Sequence, residues 1–497
     1  MNRNAMLQQL AETVTWDMVI VGGGATGLGT AIDAATRGYK VLLAERFDFG
    51  KGTSSRSTKL IHGGVRYLAQ GNFKLVTEAL RERGMLLKNA PHITSIQPFI
   101  VPVFSIWEKI YYTAGLALYD LLAGKLSVGK SKTLSKKQVL DKIPSLQPEK
   151  LFGGIRYFDG QFDDARLCVD LAFTAAAHGA CVLNYCNVIA FEKNKGIIDN
   201  VVLEDTISRK KHSVRCKTVI NATGVFAGTI AKMDDADTNE LIMPSQGIHL
   251  VVDRKFFPEQ DALMIPKTED GRVLFAVPWH NKVVIGTTDT PVAGIIEEPK
   301  ALEDEVDFLI HHFNKYNARA IQKKDVLSVF AGLRPLIRSS PGKSTSLLSR
   351  DHTIIVTKSR LVTVTGGKWT TYRKMAEEAV NNAAFVAKLP KKKCITSNLP
   401  IQYYSVKSEG LYAAEKIHPE YLYTCSEVID HIRKGMALTV EDILARRMRL
   451  LFLDAKAAME AAPVVALLLQ KERVQTDEWR EEQIISFQTL ARQYLLS

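Results

Sequence analysis

Six residues near the amino terminus carry the clearest chemical signal in the sequence. Gly22-Gly-Gly24-Ala-Thr-Gly27 has the spacing G-x-G-x-x-G. In that pattern the first glycine permits a tight turn, the second lets a pyrophosphate approach the backbone, and the third lets a helix pack closely on a strand. The run therefore predicts a site for the ADP half of a dinucleotide at a helix amino terminus, where the helix dipole favours negative charge.

The segments on both sides of these glycines predict the unit that positions them. Asp17 to Gly22 and Lys40 to Glu45 are short apolar runs, which predicts two buried strands. Between them, Ala25 to Arg37 has helical composition and ends at Gly38, a residue typical of helix ends. We therefore expect a βαβ unit with parallel strands and a right-handed crossover. Glu45, at the end of the second strand, is placed to accept hydrogen bonds from an adenosine ribose.

The glycine motif does not choose between FAD and NAD, because both cofactors contain ADP. The chain has no second G-x-G-x-x-G and no C-x-x-C pair, which a pyridine-nucleotide-linked flavin disulfide reductase would need. Ala222-Thr-Gly224 and Gly366-Gly367 end two further strand-like segments far away in the sequence. Such remote glycines suit an extended cofactor that lies across a sheet, so we expect FAD.

Composition limits the class of protein further. The 497 residues are 46% hydrophobic, which is typical of a globular chain, and the six cysteines suggest reduced thiols in a cytosol-facing compartment. The net charge of +12 favours an anionic substrate, an anionic lipid surface or nucleic acid.

We expect no secretory leader at the amino terminus. The most lipophilic window, Ile110 to Leu122, is shorter than the roughly 18 residues of a spanning helix, so no transmembrane segment is expected.

The rest of the chain divides into regions of different pattern. A helix is predicted over Phe73 to Asn89, and irregularly alternating strands between about residues 240 and 290 predict a mostly antiparallel sheet. Leu361 to Lys368 is a strand-like run that leads into a helical stretch, Thr370 to Lys388. The polar, proline-broken run that begins at Leu389 predicts a linker to a helical carboxyl-terminal domain.

Several longer runs occur in the order in which one enzyme family has them. Ile20 to Gly38 (IVGGGATGLGTAIDAATRG) and Gly366 to Ala376 (GGKWTTYRKMA) resemble the two signatures of FAD-dependent glycerol-3-phosphate dehydrogenases. Shorter motifs of that family lie between them, namely Thr53-Ser-Ser to Lys59-Leu-Ile-His-Gly-Gly-Val-Arg-Tyr67, Phe162-Asp-Asp-Ala-Arg166, Gly286-Thr-Thr-Asp289 and Gly332-Leu-Arg-Pro335. The resemblance covers about residues 15 to 385 and extends weakly into the helical carboxyl-terminal part.

The resemblance implies both an activity and an architecture. The activity is oxidation of sn-glycerol 3-phosphate to dihydroxyacetone phosphate by hydride transfer from C2 to flavin N5, with electrons passed to membrane quinone. The architecture is an α/β (α+β) fold: a Rossmann-like FAD-binding domain of the glycine-oxidase-like type, an interleaved, mostly antiparallel substrate domain and a helical carboxyl-terminal cap. We expect the FAD-binding domain at 15–75, 150–235 and 345–388, the substrate domain at 76–149 and 236–344, a linker at 389–400 and the cap at 401–497.

The substrate site implied by the resemblance is cationic, as a phosphate monoester requires. The residues that match substrate-binding positions of the family are Arg66, Tyr67, Arg334, Arg350 and Lys368, and Thr287 is expected at the substrate hydroxyl. Loss of hydride from C2 also requires the hydroxyl proton to leave, either to a neutral base or from an alkoxide polarised by an arginine. His249 matches the family histidine near the flavin and is the expected base, and Arg334 is the expected polarising group.

The resemblance also implies cofactor contacts beyond the glycine motif. The hydroxyls of Thr53 to Ser55 and the carboxylate of Asp289 are expected at the flavin or the pyrophosphate, and Lys59 would place positive charge near the flavin. His62 is expected either to contact the flavin or to be structural. No metal is expected. The full expected set of cofactor-binding residues is Gly22, Gly24, Gly27, Glu45, Thr53, Ser54, Ser55, Lys59, His62, Gly224, Asp289, Gly367 and Lys368.

Two segments become candidates for lipid contact once the family's membrane association is considered. Pro102 to Lys125 combines aromatic, apolar and lysine residues in a way that fits either a core helix or a monotopic anchor. Arg446-Arg447-Met-Arg449 lies on a helix predicted from near Thr439, and its basic face is either solvated or in contact with anionic lipid. We expect a cytoplasmic protein associated peripherally with the inner face of the cell membrane; a homodimer is left open.

Three alternatives remain. A related oxidase would return electrons to O₂ as peroxide, although the oxidases of the family tend to carry an insertion that this compact chain lacks. A related FAD-dependent amine or amino-acid oxidase would hold a carboxylate with one arginine and would not need Arg66, Arg334 and Lys368 together. A flavin-bearing nucleic-acid-binding protein is disfavoured, because the lysines are scattered apart from Lys391 to Lys393, so no nucleic-acid partner is expected.

Overall fold

The computed structural model of the protein describes residues 1–68, 71–240, 242–269, 271–337, 352–406 and 413–496. The strands in these residues are β1 (Met18–Val21), β2 (Val41–Ala44), β3 (Leu60–Ile61), β4 (Thr94–Val103), β5 (Lys132–Ser135), β6 (Gly153–Phe162), β7 (Cys181–Leu183), β8 (Cys186–Asn194), β9 (Ile197–Asp205), β10 (Lys211–Arg215), β11 (Val219–Asn221), β12 (Ile242–Asp253), β13 (Ala262–Ile265), β14 (Leu274–Trp279), β15 (Lys282–Gly286), β16 (Thr290–Pro291), β17 (Val326–Ile337), β18 (His352–Val356) and β19 (Leu361–Gly366). The α-helices are α1 (Arg3–Glu12), α2 (Ala25–Thr36), α3 (Phe73–Asn89), α4 (Ile106–Ala123), α5 (Lys136–Lys142), α6 (Asp164–Ala177), α7 (Ala227–Asp234), α8 (Glu303–Tyr316), α9 (Tyr372–Val386), α10 (Cys425–Gly435), α11 (Leu450–Leu453), α12 (Ala455–Arg473) and α13 (Asp477–Ala491).

A six-stranded sheet in the order β18-β19-β11-β1-β2-β7 contains the predicted βαβ unit. Its strands run parallel except for β18, which is antiparallel to β19. Every residue of β1, β2, β7 and β11 is buried, as expected for a parallel sheet covered on both faces. Helix α2 begins at Ala25, and Gly38 just beyond its end has a left-handed φ of +73°, so the prediction for this unit is confirmed.

A second, larger sheet is built mostly from antiparallel strands and confirms the prediction for residues 240 to 290. Its strands follow the order β16-β12-β15-β14-β13-β4-β6-β3, with β17 paired to β12 and β5 paired to β6. β3 and β6, which lie in the range expected for the FAD-binding domain, are strands of this larger sheet. β6 pairs along its whole length with β4, from Thr94↔Phe162 to Val103↔Gly153, so both strands belong to the larger sheet. A three-stranded antiparallel sheet, β10-β9-β8, lies beside the six-stranded one.

The carboxyl-terminal region is helical, as predicted, and shares a core with the larger sheet. Phe452 in α11 contacts Phe330 in β17, with ring centroids 4.9 Å apart. Ahead of α11 the chain forms one π-helical segment, Asp442–Arg447. Thr439 and Asp442 exchange side chain-to-backbone hydrogen bonds of 3.1 and 3.2 Å at its start and so form a reciprocal capping pair. Within the described residues, no helix is both long enough and apolar enough to cross a bilayer.

Candidate active site

A cavity of about 480 Å³ lies where β1, β2, β11 and β19 end. Carboxyl ends of parallel strands are the usual place for a ligand in such a sheet. Eight of the predicted cofactor residues line the cavity, namely Gly22, Gly24, Glu45, Thr53, Ser54, Gly224, Gly367 and Lys368. Segments more than 300 residues apart in the sequence therefore meet at one site.

The amino terminus of α2 forms one wall of this cavity and fits a pyrophosphate. Gly24 is the residue that precedes the helix, and no side chain caps the helix end from that position. A Cβ on Gly24 would lie 3.0 Å from Ser54 Oγ, which itself accepts the Ala25 N–H at 3.0 Å. A Cβ on Gly27 would lie 1.9 Å from the carbonyl oxygen of Gly22, so this glycine is required for packing rather than for contact with a ligand. The backbone cradle thus has the form that FAD requires.

Glu45 lies at the end of β2, at the edge of the cavity. Its carboxylate accepts backbone N–H groups from Gly23, at 2.5 Å, and from Phe47, at 2.8 Å. Withdrawal from bulk water raises the pKa of this carboxyl group, although the two N–H donors act in the opposite direction. The side chain is held in place beside the glycines, where an adenosine ribose would lie when FAD is bound.

Arg334 lies on β17, directly opposite Ser245 of β12. Its Nη1 donates to the carbonyl oxygen of Gln246 at 3.1 Å and to Asp289 Oδ1 at 3.2 Å. Its Nη2 donates to Thr287 Oγ1 at 3.1 Å and to the carbonyl oxygen of Thr288 at 2.8 Å. Both terminal nitrogens therefore hold the loop after β15. A phosphate that made a bidentate contact with this guanidinium would have to displace one or more of these acceptors.

Asp289, expected at the flavin or the pyrophosphate, lies on the loop after β15. Its carboxylate pairs with Arg334 and accepts a hydrogen bond from the hydroxyl of Ser245. Asp289 is not among the residues that line the cavity. Its position follows from the antiparallel pairing of β12 with both β16 and β17, which brings the three side chains together.

Glu305, which no sequence pattern indicated, also holds the loop after β15 in place. This buried carboxylate at the start of α8 accepts hydrogen bonds from Thr288 Oγ1 and Thr290 Oγ1, both at 2.7 Å, and from Gln246 Nε2 at 2.8 Å. Thr288 Oγ1 also accepts the Ile248 N–H at 3.0 Å. The acidic first turn of α8 is visible in the sequence, but it predicts only a helix start and no role at the site.

His249 is buried in β12, with 3% of its surface exposed. Its imidazole stacks on Phe330 at 4.9 Å, and its Nε2 lies 2.8 Å from Thr58 Oγ1. Burial, reinforced by the positive charges of Lys59 and Arg334, lowers the pKa of His249 well below its usual range. The imidazole is therefore neutral at pH 7 and carries one nitrogen lone pair that could accept a proton, and its low pKa makes it a weak base.

Lys368 and Tyr67 meet at the other side of the site. The Lys368 ammonium lies 3.8 Å from the centroid of the Tyr67 ring. The loop that carries Tyr67 is tied to the segment after β19, because Thr370 Oγ1 donates to the carbonyl oxygen of His62 at 3.2 Å. His62 and Tyr67 do not line the cavity, whereas Lys368 does. The backbone of Arg66 lies in the short 3₁₀ turn Val65–Tyr67.

Four further predicted residues either lie outside the described residues or are buried against other groups. The side chain of Arg66 and the whole of Arg350 lie outside the described residues. Ser55 is buried, and its hydroxyl faces the carbonyl oxygens of Lys51 and Gly52. Lys59 is also buried: its Nζ donates to Asp164 Oδ2 at 2.8 Å and lies 4.8 Å from the Phe330 ring. Its charge therefore belongs to a buried ion pair behind His249.

The basic run of the carboxyl-terminal region does not face lipid, and this corrects the expectation from the sequence. Arg446, Arg447 and Arg449 are between 1% and 4% exposed. Arg446 and Arg447 pair with Asp48, and Arg449 pairs with Asp164. These carboxylates lie about 400 and 285 residues earlier in the chain, so the local pattern of the basic run cannot reveal them.

The fold and the cavity together define an FAD-binding oxidoreductase, and comparisons with known proteins agree. Residues 17–373 match the family model described as FAD dependent oxidoreductase, and residues 396–482 match the C-terminal domain of alpha-glycerophosphate oxidase. The mitochondrial glycerol-3-phosphate dehydrogenase of Bos taurus is 37% identical over 97% of this chain and 74% of its own length. The probable mitochondrial glycerol-3-phosphate dehydrogenase of Dictyostelium discoideum is 36% identical over 95% of this chain and 83% of its own. The chain belongs to the family of FAD-dependent glycerol-3-phosphate dehydrogenases.

Solved structures agree with this membership. The glycerol-3-phosphate dehydrogenase from Bacillus halodurans, solved in complex with FAD, superposes with a TM-score of 0.80 over 99% of this chain and 97% of that one, at 28% identity. Glycine oxidase from Bacillus cereus superposes with a TM-score of 0.54 over 79% of this chain, at 17% identity, and shows the fold alone. The predicted glycine-oxidase-like fold and the predicted cofactor, FAD, are thereby confirmed.

Proposed function

We propose that the protein oxidises the C2 hydroxyl of sn-glycerol 3-phosphate to the ketone, giving dihydroxyacetone phosphate, and passes the electrons to membrane quinone. One observation carries the proposal: a neutral, buried His249 and a fixed, cationic Arg334 lie on the paired strands β12 and β17, next to a cavity built for FAD. The named activity of the family supports the choice of substrate.

In the proposed reaction, one residue of the chain accepts a proton and others stabilise negative charge. When bound, FAD supplies the acceptor for the hydride that leaves C2. His249 takes the hydroxyl proton, because its imidazole is neutral. The positive charge of Arg334 stabilises the oxygen as that proton leaves. Lys368 lies at the cavity and supplies a cation for the phosphate, and Arg66 and Arg350 remain the further predicted phosphate ligands.

Helix α4 supports the proposed contact with anionic lipid. Trp107 is 77% exposed and Leu121 75% exposed, whereas Leu116 and Tyr119 on the opposite face are 1% exposed. Lys109 lies on the same helix. An exposed aromatic and apolar row with nearby lysines is typical of a helix that lies in a membrane interface. We therefore propose peripheral association through α4 alone, at the inner face of the cell membrane, where quinone is available.

The lipid contact is tested by sedimentation with anionic vesicles. We expect the protein to bind, and to bind less but still measurably at high salt, because salt screens the charge and not the apolar contact. The variant Trp107→Ser/Leu121→Ser should lose binding. The matched control is Leu422→Ser/Val474→Ser, which removes two side chains that are 84% and 90% exposed in the carboxyl-terminal region. Equal loss in both variants would refute a specific role for α4.

Light scattering on the same preparation tests the homodimer.

The electron acceptor is tested by reoxidation of the substrate-reduced enzyme. We expect a soluble quinone analogue to restore the oxidised flavin spectrum quickly, and air-saturated buffer to do so slowly and with little peroxide. A related oxidase is the alternative, since part of the chain matches a domain named for alpha-glycerophosphate oxidase. Fast reoxidation by O₂ with stoichiometric peroxide would establish the oxidase instead.

A further inference from the structure

The segment from Asp48 to Lys59 connects the cavity to His249. Thr53 and Ser54 line the cavity, and Thr58 Oγ1 lies 2.8 Å from His249 Nε2. Apart from one short 3₁₀ turn, Thr53–Ser55, this segment has no regular secondary structure. Its position therefore depends on what its side chains and carbonyl groups contact.

The carboxyl-terminal region supplies many of these contacts. Asp48 accepts hydrogen bonds from Arg446 Nε at 2.6 Å and from Arg447 Nη2 at 2.9 Å. Lys51 Nζ donates to Glu441 Oε2 at 2.9 Å. These contacts hold the first half of the segment, and all of them cross from one end of the chain to the other.

Arg449 holds the second half. Its Nη2 donates to the carbonyl oxygen of Ser55 at 3.0 Å and to Asp164 Oδ1 at 2.9 Å. Lys59 Nζ donates to the same two groups, to the Ser55 oxygen at 2.7 Å and to Asp164 Oδ2 at 2.8 Å. Ser57 Oγ also donates to Asp164 Oδ2, at 2.7 Å. The two cations and the segment thus share one fully buried carboxylate.

Thr58 lies between two of these anchored residues. Ser57 and Lys59 are both fixed to Asp164, so the direction of the Thr58 hydroxyl follows from the network. That hydroxyl bonds one ring nitrogen of His249, and such a bond fixes the orientation of the ring. Among the described residues, His249 Nδ1 has no hydrogen-bond partner. Thr58 is therefore the polar contact that orients the imidazole.

We propose that Arg449 is a positioning residue for the reaction: it fixes the Ser55–Lys59 segment and, through Thr58, the orientation of His249. The carboxyl-terminal helices then complete the active site. The role of Arg449 in orienting His249 rests on the proposed function, whereas its role in fixing the cavity-lining segment does not. Arg449 itself lies behind the segment and is not among the residues that line the cavity.

The test compares holoenzyme variants by two readouts, the rate of FAD release and the limiting rate of flavin reduction by glycerol 3-phosphate. Arg449→Met should speed FAD release about tenfold and slow reduction about tenfold, because a buried carboxylate loses one of its two cations. Arg449→Lys should bring both rates most of the way back to those of the unmodified protein, since an ammonium can still pair with Asp164. Arg37→Met is the matched control: it removes another buried arginine, paired with Asp33 at the far end of α2, and should lower the melting temperature without changing either rate.

A double-mutant cycle separates positioning from general damage. Thr58→Val should slow flavin reduction about tenfold and leave FAD release unchanged. If Arg449 acts through Thr58, the two losses in reduction rate should not multiply in the double variant. Multiplied losses, unchanged rates in Arg449→Met, or equal effects of Arg37→Met would overturn the proposal.

Two complications are covered by the same design. If Arg449→Met does not fold, Ser57→Ala removes one hydrogen bond from the same carboxylate, and it should change both rates in the same directions by a smaller factor. If glycerol 3-phosphate fails to reduce even the unmodified protein, the proposed function is wrong, and the FAD-release comparison still decides whether Arg449 holds the segment.

Discussion

A single added methyl group should disable the proposed base while leaving the cofactor site intact. His249 in β12 faces Gly286 in β15. A Cβ on Gly286 would lie 2.2 Å from His249 Cδ2 and 2.9 Å from its Cγ and Nε2. Carbon atoms pack at about 3.5 Å or more, so the imidazole of a Gly286→Ala variant would have to move by about 1 Å. That movement breaks its 2.8 Å contact with Thr58.

The expected consequence is a slower chemical step. A misplacement of about 1 Å in a reacting group costs about 10²-fold in rate, so the limiting rate of flavin reduction should fall by about that factor. FAD should be retained, because Gly286 does not line the cavity. The assay is anaerobic stopped-flow reduction at saturating substrate, with the melting temperature measured in parallel. Gly294→Ala is the control, since a Cβ there meets no atom within 4 Å. A folded Gly286→Ala enzyme with the full rate would refute the role of His249.

Three further predictions concern the cofactor, the substrate and the domain contact. Gly24→Val should abolish FAD retention, because even its Cβ would lie 3.0 Å from Ser54 Oγ, where the pyrophosphate meets the backbone; a purified yellow variant would contradict this. Arg334→Ala should slow flavin reduction at saturating glycerol 3-phosphate at least tenfold with a smaller effect on KM, because the guanidinium stabilises the C2 oxygen mainly as the proton leaves, whereas an unchanged rate would make the arginine purely structural. Burial alone would raise the pKa of Glu441, but Arg446 and Lys51 outweigh it and hold this pKa at about 2. The ionised Glu441 carboxylate therefore stabilises the fold fully above its ordinary pKa, and this stabilisation is lost as the pH falls towards 2. Between pH 6 and pH 3, the unfolding free energy of the unmodified protein should fall by about 2 kcal/mol more than that of the Glu441→Gln variant. A pH-independent difference would show that the ion pairs do not form.

The cofactor site could be predicted from the sequence because its signals are local. Gly22 to Gly27 and the strands around them have the period and the glycine spacing that one βαβ unit requires, and helix α3, predicted from about Phe73 to Asn89, is present over that range. Backbone that approaches a ligand closely needs small residues, and that need is visible in any short window of sequence. Family motifs extended the same kind of signal to Gly366 and Gly367.

The pairing of charges could not be predicted in this way. The basic run from Arg446 to Arg449 resembles a surface feature, and only the tertiary fold brings it to Asp48 and Asp164. Asp289 likewise has a motif position that suggests a cofactor contact, whereas the pairing of β12 with β16 and β17 places it on Arg334. Such contacts depend on the tertiary packing of segments up to some 400 residues apart, which no local pattern encodes.

The most direct test of the central claim is an anaerobic titration of the purified yellow protein with sn-glycerol 3-phosphate. We expect one equivalent of this substrate to bleach the oxidised flavin spectrum and to yield one equivalent of dihydroxyacetone phosphate. Glycerol, glycine and L-proline should leave the spectrum unchanged at the same concentration. Bleaching by an amino acid, with no response to sn-glycerol 3-phosphate, would contradict the proposed function and identify an amine-oxidising enzyme on the same fold.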